Sequence, residues 1–185
     1  MSKMELRLAG SGGQGIILAT VILAEAAVLA GKYTAQSQAY GPEARGGSCK
    51  AEVLISDDPI AFTKVQSPTF LLALTQKSLD DYARNLPENC QVLIDESLTV
   101  PDTAAQNHIT ALPILATAKE KVGRAMTANI VTVGVINRML HLVPDDILRQ
   151  AVLLHVPHGT EALNEKALEC GMDLFGSSAS CADCH

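Results

Sequence analysis

Hydrophobic residues alternate with polar ones, or follow one another without interruption, in six short segments of the chain. Glycine, proline and polar turn residues separate these segments, as is typical of strands in a folded domain. The predicted strands are residues 4–10, 33–38, 49–56, 70–75, 90–97 and 108–113. Segment 70–75 is apolar almost throughout, and segment 90–97 has the apolar centre Val92, Leu93 and Ile94, which is typical of strands buried on both faces of a parallel sheet.

Between and after these strands, hydrophobic positions repeat with the spacing of helices. The predicted helices are residues 16–30, 77–86, 114–122, 127–140, 144–154 and 160–173. Because strands and helices alternate without a repeat or a long linker, the pattern predicts one three-layer α/β/α domain over residues 1–176. Its sheet is expected to be mainly parallel, or mixed if segment 49–56 forms a local hairpin. The small polar residues 177–185 predict a flexible C-terminal tail.

The first predicted helix is apolar on nearly every side. Residues 16–30 contain only Thr20 and Glu25 as polar positions. A helix that is apolar all round is buried all round. Two arrangements satisfy this pattern: a partner protein covers the outer side of the helix, or the C-terminal helices of the same chain do so.

Charge and hydropathy narrow the classes of function. The net charge is −6 and the isoelectric point is near 5.3, which argues against nucleic-acid binding. The longest apolar stretch has 15 residues and contains Glu25, so it is shorter than the roughly 20 residues of a membrane helix. No signal-peptide pattern precedes it. We therefore expect a cytoplasmic protein that binds neither nucleic acid nor a membrane.

The five cysteines fall into two groups. Cys49, Cys90 and Cys170 lie in apolar or regular segments and are expected to be reduced core residues. The sequence ends in Cys181-x-x-Cys184-His185, which matches the attachment pattern of c-type haem. A flexible tail with incidental cysteines is the favoured interpretation, and haem or metal binding is the alternative. His155 and His158 are expected to have a capping or surface role.

A glycine-rich loop joins the first strand to the first helix. Gly10, Gly12 and Gly15 fit the pattern G-x-G-x-x-G, and Gly13 and Gln14 complete the loop. Free N–H groups at such a helix start can bind an anion. A dinucleotide site also needs an acidic residue about 20 positions further on, which this chain lacks. NAD binding is therefore disfavoured, and a tight structural turn or contact with an anion or a pantetheine group remains.

A second loop combines polar and aromatic side chains with glycine. Tyr40, Glu43 and Arg45 stand beside Gly46 and Gly47 in the stretch "AYGPEARGGS". Such a composition is typical of a recognition loop. A solvated ion pair between Glu43 and Arg45 is the alternative.

These motifs together resemble the gamma subunits of 2-oxoacid:ferredoxin oxidoreductases, most closely those that act on 2-oxoglutarate. The resemblance rests on "GSGGQG", "YGPEARGG" and the following "KAEVLIS". It extends less strongly to the stretches around Asn129 and Gly134, and around Asn164, Ala167 and Gly171. The matching motifs together span most of the chain.

The resemblance implies a fold, an activity and a set of partners. The fold would be the Rossmann-like gamma domain of pyruvate:ferredoxin oxidoreductase. The enzyme would convert a 2-oxo acid and coenzyme A to acyl-CoA and CO2 and would reduce ferredoxin. Thiamine diphosphate and Mg²⁺ would be bound by the alpha and beta subunits, and iron–sulfur clusters by beta or by a ferredoxin-like delta subunit. The gamma chain itself would carry no catalytic residue.

We hypothesise that the two glycine loops form one patch. The first would present N–H groups, and Arg45 would add a positive charge suited to phosphate or carboxylate. CoA phosphates and the carboxylates of a neighbouring subunit both fit this chemistry. The alternatives are a free-standing protein that binds a nucleotide or CoA, and a subunit that serves assembly alone.

Overall fold

A six-stranded mixed sheet forms the centre of the computed structural model, which describes residues 3–40, 48–104 and 106–182. The strands are β1 (Met4–Ser11), β2 (Tyr33–Tyr40), β3 (Ser48–Ser56), β4 (Phe70–Ala73), β5 (Gln91–Asp95) and β6 (His108–Leu112). They are arranged in the order β2-β3-β1-β4-β5-β6. Only β3 runs antiparallel to its neighbours, so the other five strands point in one direction. The predicted fold class is confirmed, with the mixed form of the sheet.

Within the described ranges, six α-helices flank this sheet unequally. They are α1 (Ile16–Leu29), α2 (Gln76–Tyr82), α3 (Ile114–Ala116), α4 (Ala128–Leu140), α5 (Asp145–His155) and α6 (Glu161–Ala182). The larger apolar core joins β1, β3 and β4 to α1, α4, α5 and α6 on one face. The other face holds a smaller core between β4, β5 and α2. No helix in the described part of the chain is long and apolar enough to cross a membrane.

Helix α1 ends where the sequence predicts. Gly31 has a φ of +80°, and its N–H donates to the carbonyl of Val28 at 2.9 Å. The N–H of Lys32 donates to the carbonyl of Ala27 at 2.9 Å. These two bonds form a Schellman motif, which satisfies the last carbonyls of the helix and needs a residue with positive φ. The chain is thereby turned directly into β2.

The chain's own helices cover most of α1. Helix α5 packs along one side and α4 approaches its start, while β2 and β3 lie beneath it. One apolar strip along α1 stays partly exposed to solvent. It consists of Ile17, Val21, Ala24 and Val28, which follow one another at helical spacing. Of the two arrangements predicted from the sequence, coverage by the C-terminal helices accounts for most of α1. The apolar strip remains partly exposed, and a partner protein could cover it.

Three predicted helices differ from the structure. The predicted helix 77–86 is shorter, since α2 ends at Tyr82. The predicted helix 114–122 begins as α3 and continues as a π-helix over Thr117–Val122, with Gly123 at a φ of +93° closing the widened turn. The last helix continues to Ala182 instead of ending at residue 173. Gly171 does not end it, because packing of the helix against α4 outweighs the intrinsic cost of a helical glycine, about 1 kcal/mol. The exposed Gly176 does not end it either.

A buried carboxylate fastens the segment before β4 to β1. The Glu5 side chain accepts hydrogen bonds from the backbone N–H groups of Gln66 at 2.7 Å and Ser67 at 2.9 Å. The ammonium group of Lys3 lies 2.8 Å from its other oxygen. Burial alone would raise the pKa of Glu5, but these three donors together hold it below its usual value of 4.5.

We expect Glu5→Gln to lower the free energy of unfolding at pH 7 by about 1–2 kcal/mol, the contribution of hydrogen bonds to a charged acceptor. Since the folded-state pKa is depressed, this stabilisation is present above pH 4.5 and is lost as the pH falls through the lower folded-state value. Urea denaturation of both proteins between pH 7 and pH 3 should show the difference shrinking towards the acid end. The exposed Glu88→Gln is the matched control, and an equal loss there would contradict the assignment.

Candidate functional site at the carboxyl edge of the sheet

The candidate site lies where the direction of the chain connections changes. From β1 the chain passes through α1 to β2 on one side of the sheet, whereas from β4 it proceeds through α2 to β5 on the other. Strands β1 and β4 are parallel neighbours, so their carboxyl ends form a topological switch point. Ligands of open α/β sheets bind in the crevice at such a point.

The glycine loop crosses this edge with two residues in the left-handed conformation. Gly13 has a φ of +95°, and Gly15 has a φ of +71° directly before α1. Non-glycine residues adopt such angles only at a cost in free energy. Gly12 and Gly13 are exposed, and no side chain among the described residues caps the start of α1. The loop thus presents the backbone of a helix start to its surroundings.

Gln14 spans the switch point with its side chain. Its Oε1 accepts a hydrogen bond from the backbone N–H of Ser11 at 2.7 Å, and its Nε2 donates to the carbonyl of Leu74 at 3.5 Å. A Cβ atom at Gly10 would lie 2.5 Å from this Oε1. Gly10 therefore makes room for Gln14, and the side chain lies across the crevice in which a dinucleotide fold would hold its pyrophosphate.

Asn129 closes the other side of the loop. A Cβ atom at Gly15 would lie 2.6 Å from the Nδ2 of Asn129, a residue near the start of α4 that is 6% exposed. The starts of α1 and α4 therefore meet at this point. The sequence drew attention to Asn129 only through the family resemblance, because no local pattern reveals a contact over more than 100 positions.

The second loop leaves and re-enters the sheet at the same edge. Tyr40 at the end of β2 pairs with Cys49 of β3, which in turn pairs with Gly10 of β1. Neighbouring strands are about 4.8 Å apart, so both ends of the loop stand beside the glycine loop. The predicted contact residues Glu43, Arg45, Gly46 and Gly47 lie outside the described residues.

A charged cluster that sequence reasoning missed lies on the α2 face beneath this edge. The guanidinium Nε of Arg7 lies 2.7 Å from an oxygen of Glu52, and the ammonium group of Lys50 lies 3.1 Å from the same oxygen. Both cations approach the ring of Tyr82, at 5.6 Å and 5.8 Å from its centroid. The period-two placement of Glu5 and Arg7, and of Lys50 and Glu52, was the signal in the sequence.

A buried carboxylate also stands at the end of β5. One oxygen of Asp95 accepts hydrogen bonds from the N–H of Ser97 at 3.1 Å and from its hydroxyl at 2.5 Å. The other accepts from the N–H of Leu115 at 2.8 Å, in the first turn of α3. This side chain is fully engaged in holding the helix start, so its role is structural.

Of the predicted thiol and imidazole groups, Cys49 lies at this edge as a buried residue of β3, and the others lie apart from it or outside the described residues. Cys49 and Cys90 are buried free thiols, and burial raises the pKa of the Cys90 thiol to about 11. His155 lies 3.9 Å from Glu25, and the exposed His158 lies 3.6 Å from Glu161. Cys181 lies within α6, whereas Cys184 and His185 lie outside the described residues. Within the described ranges, no group of three or more His, Cys, Asp and Glu residues is placed to hold a metal ion.

The arrangement suits binding rather than bond-breaking chemistry. An uncapped helix start with exposed glycines can receive phosphate or carboxylate oxygens. The strand that would supply the ribose-binding acid of a dinucleotide fold, β2, contains no charged residue. The geometry therefore favours an anionic group of another molecule at the surface of this edge.

Comparison with known proteins gives a consistent result. The chain matches the model of the pyruvate ferredoxin/flavodoxin oxidoreductase family over residues 5–174. It is 42% identical over 175 residues to the 2-oxoglutarate synthase subunit KorC of Methanocaldococcus jannaschii, covering 93% of this chain and 94% of the relative. It is 32% identical over 181 residues to the ketoisovalerate oxidoreductase subunit VorA of Methanothermobacter thermautotrophicus, covering 97% of this chain and 36% of that one.

A solved structure agrees with these matches. The gamma subunit of a keto/oxoacid ferredoxin oxidoreductase from Geobacter sulfurreducens superposes with a TM-score of 0.86 at 40% identity. The superposition covers 96% of this chain and 98% of that one. The similarity in sequence and in structure thus extends over the whole domain.

Proposed function

The chain belongs to the pyruvate ferredoxin/flavodoxin oxidoreductase family, and from this premise we propose that it is the gamma subunit of a thiamine-dependent 2-oxoglutarate oxidoreductase. The observation that carries the proposal is the match to KorC from end to end. The family resemblance inferred from the sequence is confirmed. The alternative, a free-standing nucleotide- or CoA-binding protein, is not favoured by these relatives.

In this proposal the chain acts in the cytoplasm as a non-catalytic member of a complex with alpha and beta subunits and a ferredoxin-like delta subunit. The complex forms succinyl-CoA and CO2 from 2-oxoglutarate and CoA, and it reduces ferredoxin. Thiamine diphosphate, Mg²⁺ and the iron–sulfur clusters are bound by the partner subunits, as the resemblance implies. The VorA match supports the partnership, because this chain corresponds to only 36% of that longer chain.

The test is to purify the tagged chain from its native cell without oxygen and to identify what accompanies it. We expect two larger subunits and a small ferredoxin-like one, and a preparation that reduces ferredoxin only when both 2-oxoglutarate and CoA are present. Pyruvate and branched-chain 2-oxo acids are the matched alternative substrates. A chain that is purified alone and monodisperse would overturn the proposal.

We further propose that the two glycine loops form one contact patch for CoA phosphates or for carboxylates of a neighbouring subunit. The patch comprises Gly10, Gly12, Gly13, Gln14, Gly15, Tyr40, Glu43, Arg45, Gly46 and Gly47. The strand register supports it, since Tyr40, Cys49 and Gly10 are neighbours across three strands. The uncapped start of α1 supplies donors, and Arg45 would supply the charge.

Arg45→Ala separates the two occupants. If CoA phosphate is bound, we expect the KM for CoA to rise roughly tenfold, the equivalent of one charge-assisted hydrogen bond. If a subunit carboxylate is bound, the KM stays unchanged and the partners dissociate at lower salt. The exposed Arg84→Ala is the matched control. An Arg45→Ala complex that keeps both its salt resistance and its KM for CoA would exclude the patch.

A further inference from the structure

The outer edge of β2 lacks the devices by which sheet edges avoid pairing with another chain. Among the described residues no strand pairs with this edge, although β2 is eight residues long. It contains no lysine, proline or glycine, and its register with β3 runs without a bulge from Tyr33 to Tyr40. Natural edge strands are usually short, charged or interrupted. The opposite edge, β6, is only five residues long.

The apolar strip of α1 lies beside this edge. Residues 17, 21, 24 and 28 lie along one side of the helix, and Val28 is 52% exposed. Thr20, next to this strip around the helix, accepts a hydrogen bond from Gln36 of β2 at 2.9 Å. The strip therefore adjoins the flank of α1 that faces the edge strand. Glu25, the single charge on the helix, lies instead beside His155 of α5.

We propose that the edge of β2 and this strip of α1 form a two-fold interface with a second copy of the same chain. The sequence of the strand supports this occupant, because "AQSQA" is a palindrome centred on Ser37. In an antiparallel pair about Ser37, Ala35 faces Ala39 of the second copy and Gln36 faces its Gln38. Residues of equal parity point to the same face of a sheet, so the faces of the two copies match.

The same axis brings the two α1 helices together. A two-fold axis perpendicular to the sheet places both helices on one face of a twelve-stranded sheet. Because α1 lies over β2 and β3, the two helices stand side by side along the seam. Their apolar strips thereby line the groove between the two copies.

Charge and area agree with a pair of identical chains. Neither β2 nor the strip carries a charge, so the surfaces meet without repulsion although each chain has a net charge of −6. Lys32, at the end of the edge, is already paired with Asp57 at 3.4 Å. A strand edge and one helix strip are expected to bury about 1,000 Å² in total, the lower limit for a specific interface, so we expect a weak dimer.

Cysteine cross-linking tests both the interface and its register. In the pair, the two copies of residue 37 have Cα atoms about 5 Å apart, within the reach of a disulfide. We expect Ser37→Cys in the full chain, and in the complex purified with it, to form a homodimer under mild oxidation, with the residue-37 peptides linked to each other. Neither Ala35→Cys nor Ala39→Cys alone should form a cross-linked dimer, since the two copies of each residue have Cα atoms about 14 Å apart. A mixture of the two variants should cross-link, because residue 35 of one copy faces residue 39 of the other.

A charged substitution on the edge strand β2 provides the second test. Gln38→Lys places a cation on an exposed position of the seam, and we expect the dimer to dissociate at least about tenfold more readily in sedimentation equilibrium. His108→Lys on the opposite edge is the matched control and should leave association unchanged. A chain that stays monomeric at about 100 μM, a Ser37→Cys yield no higher than that of Ala35→Cys, or a cross-link from residue 37 to a different subunit would overturn the proposal.

Discussion

Gly171→Ala is expected to lower the free energy of unfolding by about 3 kcal/mol, at the upper end of overpacking effects in cores. Gly171 lies in α6 where it crosses α4, and an added Cβ would overlap the backbone carbonyl of Val131. At the same crossing, a Cβ on Gly134 would lie 2.5 Å from the carbonyl of Leu168. Each helix has a glycine against the other's backbone, so neither can give way without moving both helices off the sheet.

Gly176→Ala in the same helix is the matched control. Gly176 is exposed and has no atom within 4 Å of an added Cβ. Alanine there gains helix propensity and should stabilise the protein by about 0.5–1 kcal/mol. Urea denaturation at one protein concentration should therefore give shifts of opposite sign for the two variants. Equal shifts would contradict the close helix crossing.

The helix crossing also shows what the sequence does and does not disclose. The periodicity of residues 127–140 and 160–173 predicts two helices correctly. The resemblance marks Gly134 and Gly171 as family positions, but no local pattern assigns them to each other. The two glycines are 37 positions apart in the sequence, and their partnership depends on how the two helices lie on the sheet, which is a property of the packed core. For the same reason the sequence did not foresee that α6 continues to Ala182.

In the candidate site, too, local features could be predicted from the sequence and long-range contacts could not. Local chemistry predicts the glycine loop well, because a strand, four glycines and a helix in succession require a turn with positive φ at particular residues. The roles of Gln14 and Asn129 could not be predicted, since their contacts at Leu74 and Gly15 join segments far apart in the chain. The mixed sheet was foreseen as an alternative from the alternation in residues 49–56. The position of β3 between β2 and β1 followed only from the fold.

In the glycine loop, packing contacts explain why two positions are glycine, and two other glycines are exposed at the surface. Gly10 and Gly15 are needed for contacts with Gln14 and Asn129, whereas Gly12 and Gly13 are exposed. The tight-turn interpretation therefore accounts for Gly10 and Gly15, whereas the contact with another molecule that we propose would involve the exposed glycines. A substitution at Gly15 should mainly affect folding, while changes at the exposed glycines should mainly affect what the edge contacts.

Gly15→Ala is expected to destabilise the protein by about 3 kcal/mol through two separable effects. A non-glycine residue at its φ of +71° costs about 1 kcal/mol. The added Cβ would lie 2.6 Å from the Nδ2 of Asn129, and overpacking of this kind costs about 1–3 kcal/mol. Gly13→Ala is the matched control, since Gly13 has a φ of +95° and no atom within 4 Å of an added Cβ.

The two effects can be divided by a double-mutant cycle. Gly13→Ala should show the conformational cost alone, about 1 kcal/mol. Asn129→Ala removes the obstructing amide, so the double variant Gly15→Ala/Asn129→Ala should be more stable than the sum of the two single losses predicts, by about 1–2 kcal/mol. Additive losses in urea denaturation would mean that Gly15 and Asn129 do not touch. The starts of α1 and α4 would then not be in contact, and only the start of α1 would contribute to the candidate site.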